Sequence, residues 1–124
     1  NLAARLNLAA LLLQQGQAQK AEQLCQRATA AAPEIGLSWY NLGLTRRRLG
    51  DIGGALEAYR EARRLTPDHA ETHQNLAVAL LLGGDIDGAR SSFRQAIKLL
   101  SQQGRSPEAE RLRQQAGAMV KLEG

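Results

Sequence analysis

The distribution of apolar residues is most regular in the middle of the chain. Trp39, Leu42, Gly43, Arg46 and Leu49 fall on one side of a helix at three- and four-residue steps. Gly50-Asp51 interrupts that pattern. Glycine tolerates the left-handed turn that ends a helix, and aspartate can cap the next one. A second helix is predicted from about Ile52 to Leu65, presenting Ala55, Tyr59 and Ala62. Pro67, which lacks a backbone N–H, closes the stretch and leaves Asp68 as the expected cap of the following helix. Small residues then sit where two helices must approach closely, and the aromatic fills the groove between neighbours.

The same layout recurs at a shift of 34 residues and organises almost the whole chain. Leu8, Leu42 and Leu76 fall in register, each followed by a small residue, and Gly16, Gly50 and Gly84 repeat at that interval. So do Ala21, Ala55 and Ala89, and Ala28, Ala62 and Ala96. Cys25, Tyr59 and Phe93 share one packing column, and Pro33 and Pro67 another. The chain therefore divides into units 2–35, 36–69 and 70–103.

The segment 39–67, reading WYNLG…LGD…A…Y…A…P, closely resembles the tetratricopeptide repeat (TPR) family in motif and period. The resemblance covers residues 2–103 and implies an all-α, right-handed solenoid of three helix–turn–helix units. Departures are mild. Arg5 and His73 stand where Trp39 is, Arg46 replaces an apolar residue, and Ser101 replaces the terminal proline, so that the last helix should run on toward Gln103. Beyond the repeats, Ser106-Pro107-Glu108 is a helix start with Ser106 as the capping hydroxyl, and Ala109, Leu112, Ala116, Met119 and Val120 form one apolar stripe. A fourth repeat fits poorly, because the register that matches Leu112 puts Arg113 at a small-residue position. Residues 107–122 are expected to be a capping helix that covers the third unit.

Composition supports the class. The chain is 44% hydrophobic but only 3% aromatic, so its core is built from Ala and Leu, which suits close-packed helices. The net charge of +4 raises nucleic acid as a partner. The charge is spread along the chain, however, and the few aromatics are assigned to packing, which argues against that partner. The lone Cys25 cannot form an intramolecular disulfide and fits a reducing compartment such as the cytoplasm. No apolar run is long enough to span a membrane. The chain begins with Asn1 and is expected to be a piece of a longer protein.

No catalytic constellation stands out. His69 and His73 lack a third ligand for zinc, Cys25 lacks a nearby base, and Gly53-Gly54 and Gly83-Gly84 lie at inter-helix turns rather than in phosphate loops. The expectation is therefore no enzyme, no metal and no cofactor.

The resemblance implies that the first helix of each unit lines a concave groove. In the middle unit Leu37, Tyr40, Asn41, Leu44, Arg47 and Arg48 should face it, whereas Leu42, Gly43 and Leu49 go to packing. In the third unit the groove should take Glu71, Gln74, Asn75, Val78, Leu81 and Leu82. In the first it should take Leu6, Asn7, Ala10, Leu13 and Gln14. The column Asn7, Asn41 and Asn75 offers amides able to bind an extended peptide backbone through donor and acceptor together. The apolar groove positions suggest an extended or short helical partner segment with apolar anchors. The basic residues of a dicarboxylate clamp are missing, since Leu6, Glu71 and Asn75 occupy their places. The expected function is a scaffold that binds a protein or peptide. Self-assembly through Leu2, Ala3 and Leu6, which are uncovered unless a further repeat precedes them, or service as a docking arm of a larger enzyme or membrane-associated protein, are the alternatives.

Overall fold

The computed structural model describes residues 1–123, which hold seven α-helices and no strand. The helices are α1 (Leu2–Gln14), α2 (Ala18–Ala31), α3 (Gly36–Arg48), α4 (Ile52–Leu65), α5 (Ala70–Leu82), α6 (Ile86–Gln102) and α7 (Ser106–Gly117). They form two compact units, α1–α4 up to Thr66 and α5–α7 from Pro67 onward. None of the helices is long and apolar enough to cross a membrane.

The helix ends follow from local chemistry. Gly50 takes φ +83°, its N–H bonds the Arg47 carbonyl and the Asp51 N–H bonds that of Arg46. This paired closure needs a left-handed residue, so glycine stands there. The same two bonds recur at Gly16, Gly84 and Gly104. Gly104 explains the longer α6: with no proline after Ser101, the helix continues to Gln102 and ends on glycine instead. Asp51 and Asp85 cap α4 and α6, each accepting from the N–H three residues on at 2.9 Å. Two expected caps are corrected. His69, not Asp68, precedes α5, and the Asp68 carbonyl instead accepts from the Gln103 amide at 2.8 Å. Arg105 precedes α7, so Ser106 is already helical.

In the first unit α1 packs on α2 and α3, and α3 on α2 and α4. Ala9, Cys25, Leu42 and Ala58 form a core, with Leu24 and Trp39 against it. Cys25 is fully buried, 3.9 Å from the Thr45 hydroxyl, and burial raises the pKa of its thiol. Tyr59 is buried against α3 so closely that a Cβ on Gly43 would lie 2.5 Å from its ring. Its phenol finds no hydrogen-bond partner among the described residues, and burial drives its pKa up.

Arg46, the odd residue of its column, is a strut. It donates to the Gly54 carbonyl at 3.1 Å and lies 3.7 Å from the Glu22 carboxylate, linking α3 to α4 and α2. Its stem packs while its head bonds, which is how an apolar position tolerates arginine. Trp39 and His73 also share a role: each ring N–H donates to the carbonyl of the preceding proline, Pro33 at 2.9 Å and Pro67 at 2.7 Å.

Three assignments of side-chain direction change. Leu8 is 46% exposed, whereas its column mates Leu42 and Leu76 are buried at 1% and 0%. Leu42 packs against residues of the preceding repeat, and among the described residues α1 has no such repeat before it. Leu6, assigned to the groove, is buried, and Leu49, assigned to packing, is exposed because it already lies past the end of α3.

In the second unit α6 packs on both α5 and α7. Phe93, Ala96, Ile97 and Leu100 of α6 share a core with Ala70 and Ala77 of α5 and with Ala109, Leu112, Ala116 and Val120. Helix α7 is shorter than the 107–122 stretch expected for it. It ends at Gly117, leaving Met119 exposed, while Val120 turns back into the core. The arginines of α6 hold that tail: Arg90 donates to the Lys121 carbonyl and Arg94 to that of Leu122.

Candidate functional site

Between α1 and α3 lies a notch of about 160 Å³ lined by Ala9, Ala10, Leu13, Gln14, Asn41, Leu44 and Thr45. Five of these, Ala10, Leu13, Gln14, Asn41 and Leu44, are residues assigned to the groove from sequence. The Thr45 hydroxyl donates back to the Asn41 carbonyl at 2.8 Å, as β-branched hydroxyls do in helices. The Asn41 side-chain amide forms no hydrogen bond with any described residue and is half-buried at the notch. A donor–acceptor pair held beside Leu44 and Leu13 can therefore meet an incoming peptide group in partly dried surroundings.

The neighbouring assignments divide between groove and packing. Leu37 is 49% exposed, and Asn7 is exposed on α1. Tyr40 is half-buried with its ring centroid 6.2 Å from that of Tyr59, so it serves both surfaces. Arg47 is half-buried, and its charge opposes the upward shift of the Tyr59 phenol. Arg48 is exposed and reaches 3.5 Å toward the Leu13 carbonyl at the end of α1.

In the second unit the assigned residues are more committed. Glu71 binds Arg105 at 3.0 Å, and Arg105 also grips Glu108 with two nitrogens, tying the start of α5 to the start of α7. This pairing holds the Glu108 carboxyl below its usual pKa range. Asn75 donates its side-chain N–H to the Glu71 carbonyl at 2.9 Å, bonding its own helix. Val78 and Leu81 are half-buried against the core, whereas Leu82 is 62% exposed. Gln74 opens onto a second notch of about 270 Å³, shared with Glu108, Arg111, Leu112 and Gln115 of α7.

Those α7 residues were missed from sequence. The signal was present: at a shift of 36, which aligns Leu112 with Leu76, Arg111 stands in the asparagine column beside Asn75. Arg113 falls on the small-residue position of that register, yet it points outward and pairs at 3.4 Å with Glu110. The two histidines do not act together. His69 Nδ1 meets the Thr72 hydroxyl at 2.7 Å, while His73 is buried on Pro67.

No curated protein matches the chain by sequence. Solved structures resemble it closely. The Yersinia enterocolitica type III secretion translocator chaperone SycD has a TM-score of 0.87 at 19% identity, over 95% of this chain and 82% of that one. PcrH of Pseudomonas aeruginosa, in complex with the chaperone binding region of PopD, has a TM-score of 0.84 at 28% identity, over 97% and 88%. A Thermobaculum terrenum O-GlcNAc transferase gives 0.75 at 28% identity, over 79% of this chain but only 19% of that one. With the tetratricopeptide repeat family matched over residues 1–34 and 40–104, the chain belongs to that family.

Proposed function

We propose that the protein is a non-enzymatic scaffold that holds an extended segment of a partner protein along its first-helix surface. The observation that carries this reading is the notch between α1 and α3, where Asn41 keeps an uncommitted amide beside Leu13 and Leu44. Likeness to PcrH, solved with a segment of PopD, supports a peptide as the occupant. Within the notch Asn41 would bind backbone, while Leu44 and the half-buried Tyr40 would select side chains.

The test uses extended peptides selected for binding to the parent chain, measured by fluorescence anisotropy. Asn41→Ala should weaken all of them by about 5- to 150-fold, the cost of roughly 1–3 kcal/mol for stranding peptide groups in a partly dried notch. Asn75→Ala should cost less, because its side-chain N–H is already engaged by the Glu71 carbonyl. Unchanged affinities together with a markedly lower melting point for Asn41→Ala would make the asparagine a strut between helices and remove the proposed site.

The open face of α1 favours a second reading, association with another copy of the chain. Ala4, Leu8 and Leu11 are exposed, whereas Ser38, Leu42 and Thr45 at the corresponding positions of α3 are buried. Light scattering should then show an apparent mass that rises with concentration. Leu8→Glu with Leu11→Glu should abolish the rise, and a constant monomer mass in the parent would dismiss this reading.

A further inference from the structure

A larger cavity lies far along the chain from the α1–α3 notch. It measures about 770 Å³ and opens between α6, α7 and the tail that follows α7. Its floor is aliphatic: Ile97 and Val120 are buried there, and Leu122 packs on the same core. Its rim is basic. Arg94, Lys98, Arg113 and Lys121 line it against a single carboxylate, Glu123. The Arg113–Glu110 pair offsets part of that charge, but Lys98 and Lys121 form no ion pair among the described residues.

The chain already demonstrates what this wall of α6 can hold. The tail leaves the helix after Gly117, runs without regular structure, and is gripped through its backbone by Arg90 and Arg94. Val120 serves as its buried aliphatic anchor. Arginine N–H groups on successive carbonyls together with an apolar floor are a means of fixing extended polypeptide whatever its sequence. The remaining volume is of the size that takes a ligand of several residues or fewer. The uncompensated cations then choose its charge.

We infer that this groove is a second docking site, which takes an extended acidic segment of another protein carrying one or two aliphatic anchors. The segment lies beside the tail with its aliphatic side chains on Ile97 and Val120 and its carboxylates on Lys98, Lys121 and Arg113. Nucleic acid fits less well, because no aromatic side chain lines the groove to stack a base, and the aliphatic floor has no use for phosphate. The inference is independent of the α1–α3 notch and does not require that site to bind anything.

The experiment measures binding of a labelled synthetic hexapeptide, Asp-Leu-Glu-Leu-Asp-Glu, to the full chain by fluorescence anisotropy. Comparison probes are the same peptide with Lys for each acid, the same peptide with Ala for each Leu, and a short single-stranded oligonucleotide. The acidic leucine peptide should bind best, and raising the salt should weaken it by about tenfold. Lys98→Glu with Arg113→Glu should weaken it at least about tenfold more. Both residues are exposed, so the melting temperature should stay close to that of the parent, and the loss should persist in an Asn41→Ala background, where binding at the α1–α3 notch is weakened. Equal binding to parent and charge-reversed chain, a preference for the oligonucleotide, or no binding of the acidic peptide at low salt would each overturn the inference.

Discussion

A chain truncated after Gly104 should lose the folded state of its second unit or precipitate, the largest effect expected of any change considered. Without α7 and its tail, Leu112 and Val120 are gone, and Ile97 and Leu100 lose the residues that cover them. Each fully buried aliphatic side chain contributes roughly 1.5–3 kcal/mol, so four of them rival the whole stability of a typical domain. Helical repeats gain most of their stability from neighbour interfaces, and of its two partners within the second unit α6 would keep only α5. The Arg105 bridge from Glu71 to Glu108 goes too, although that exposed network counts for little beside the apolar loss. Circular dichroism melting and solubility of the truncated chain provide the measurement. A gentler version, Leu112→Ala, should cost about 2–5 kcal/mol. Truncated protein that melts and stays in solution like the parent would show that α7 does not stabilise the repeats.

Gly43→Ala should destabilise the chain although alanine is the better helix former. The new methyl would lie 2.5 Å from Cδ1 and Cε1 of Tyr59, a ring buried too completely to swing aside. Forcing an extra carbon into such a contact costs about 1–3 kcal/mol, or more where the ring is backed by core. The gain of about 1 kcal/mol in helix propensity only partly offsets it. The third repeat shows how the conflict is resolved, since Ala77 and Phe93 occupy the same two columns and are both buried. Tyr59→Phe alone should be neutral or slightly stabilising, because it removes a hydroxyl that is buried without a partner. The double substitution recreates the Ala77–Phe93 pair: Phe keeps the ring carbons, but without the buried hydroxyl the ring has room to slide from the methyl, so part of the loss should be recovered. A thermal-melt double-mutant cycle measures the coupling. Strict additivity would mean that the two positions do not share the strain and that the close approach of α3 and α4 lies elsewhere.

Much of this architecture is determined by local sequence. A helix ends where glycine can take a left-handed conformation, so Gly16, Gly50 and Gly84 mark the first-helix ends without knowledge of the fold. Asp51 caps α4 because its side chain and the Gly54 N–H are neighbours in the chain. The burial of Cys25, Tyr59 and Phe93 follows from their common place in a repeated helix. That Asn41 and Leu44 share one face follows as well, from their three-residue spacing on one helix.

What lies opposite each face is not local, and only the tertiary structure decides it. Leu8 and Leu42 have the same helical position, yet one is exposed and the other buried, because burial depends on a neighbouring helix that α1 lacks among the described residues. Asn41 and Asn75 have the same amide. The side-chain N–H of Asn75 is taken by the carbonyl of Glu71, whose carboxylate binds an arginine 34 residues away. Arg111 beside Gln74, and the basic groove behind α7, depend on how α7 docks against α6. Periodicity assigns a residue to a face, but the free energy of that face is set by the atoms that meet it, and those come from distant parts of the chain.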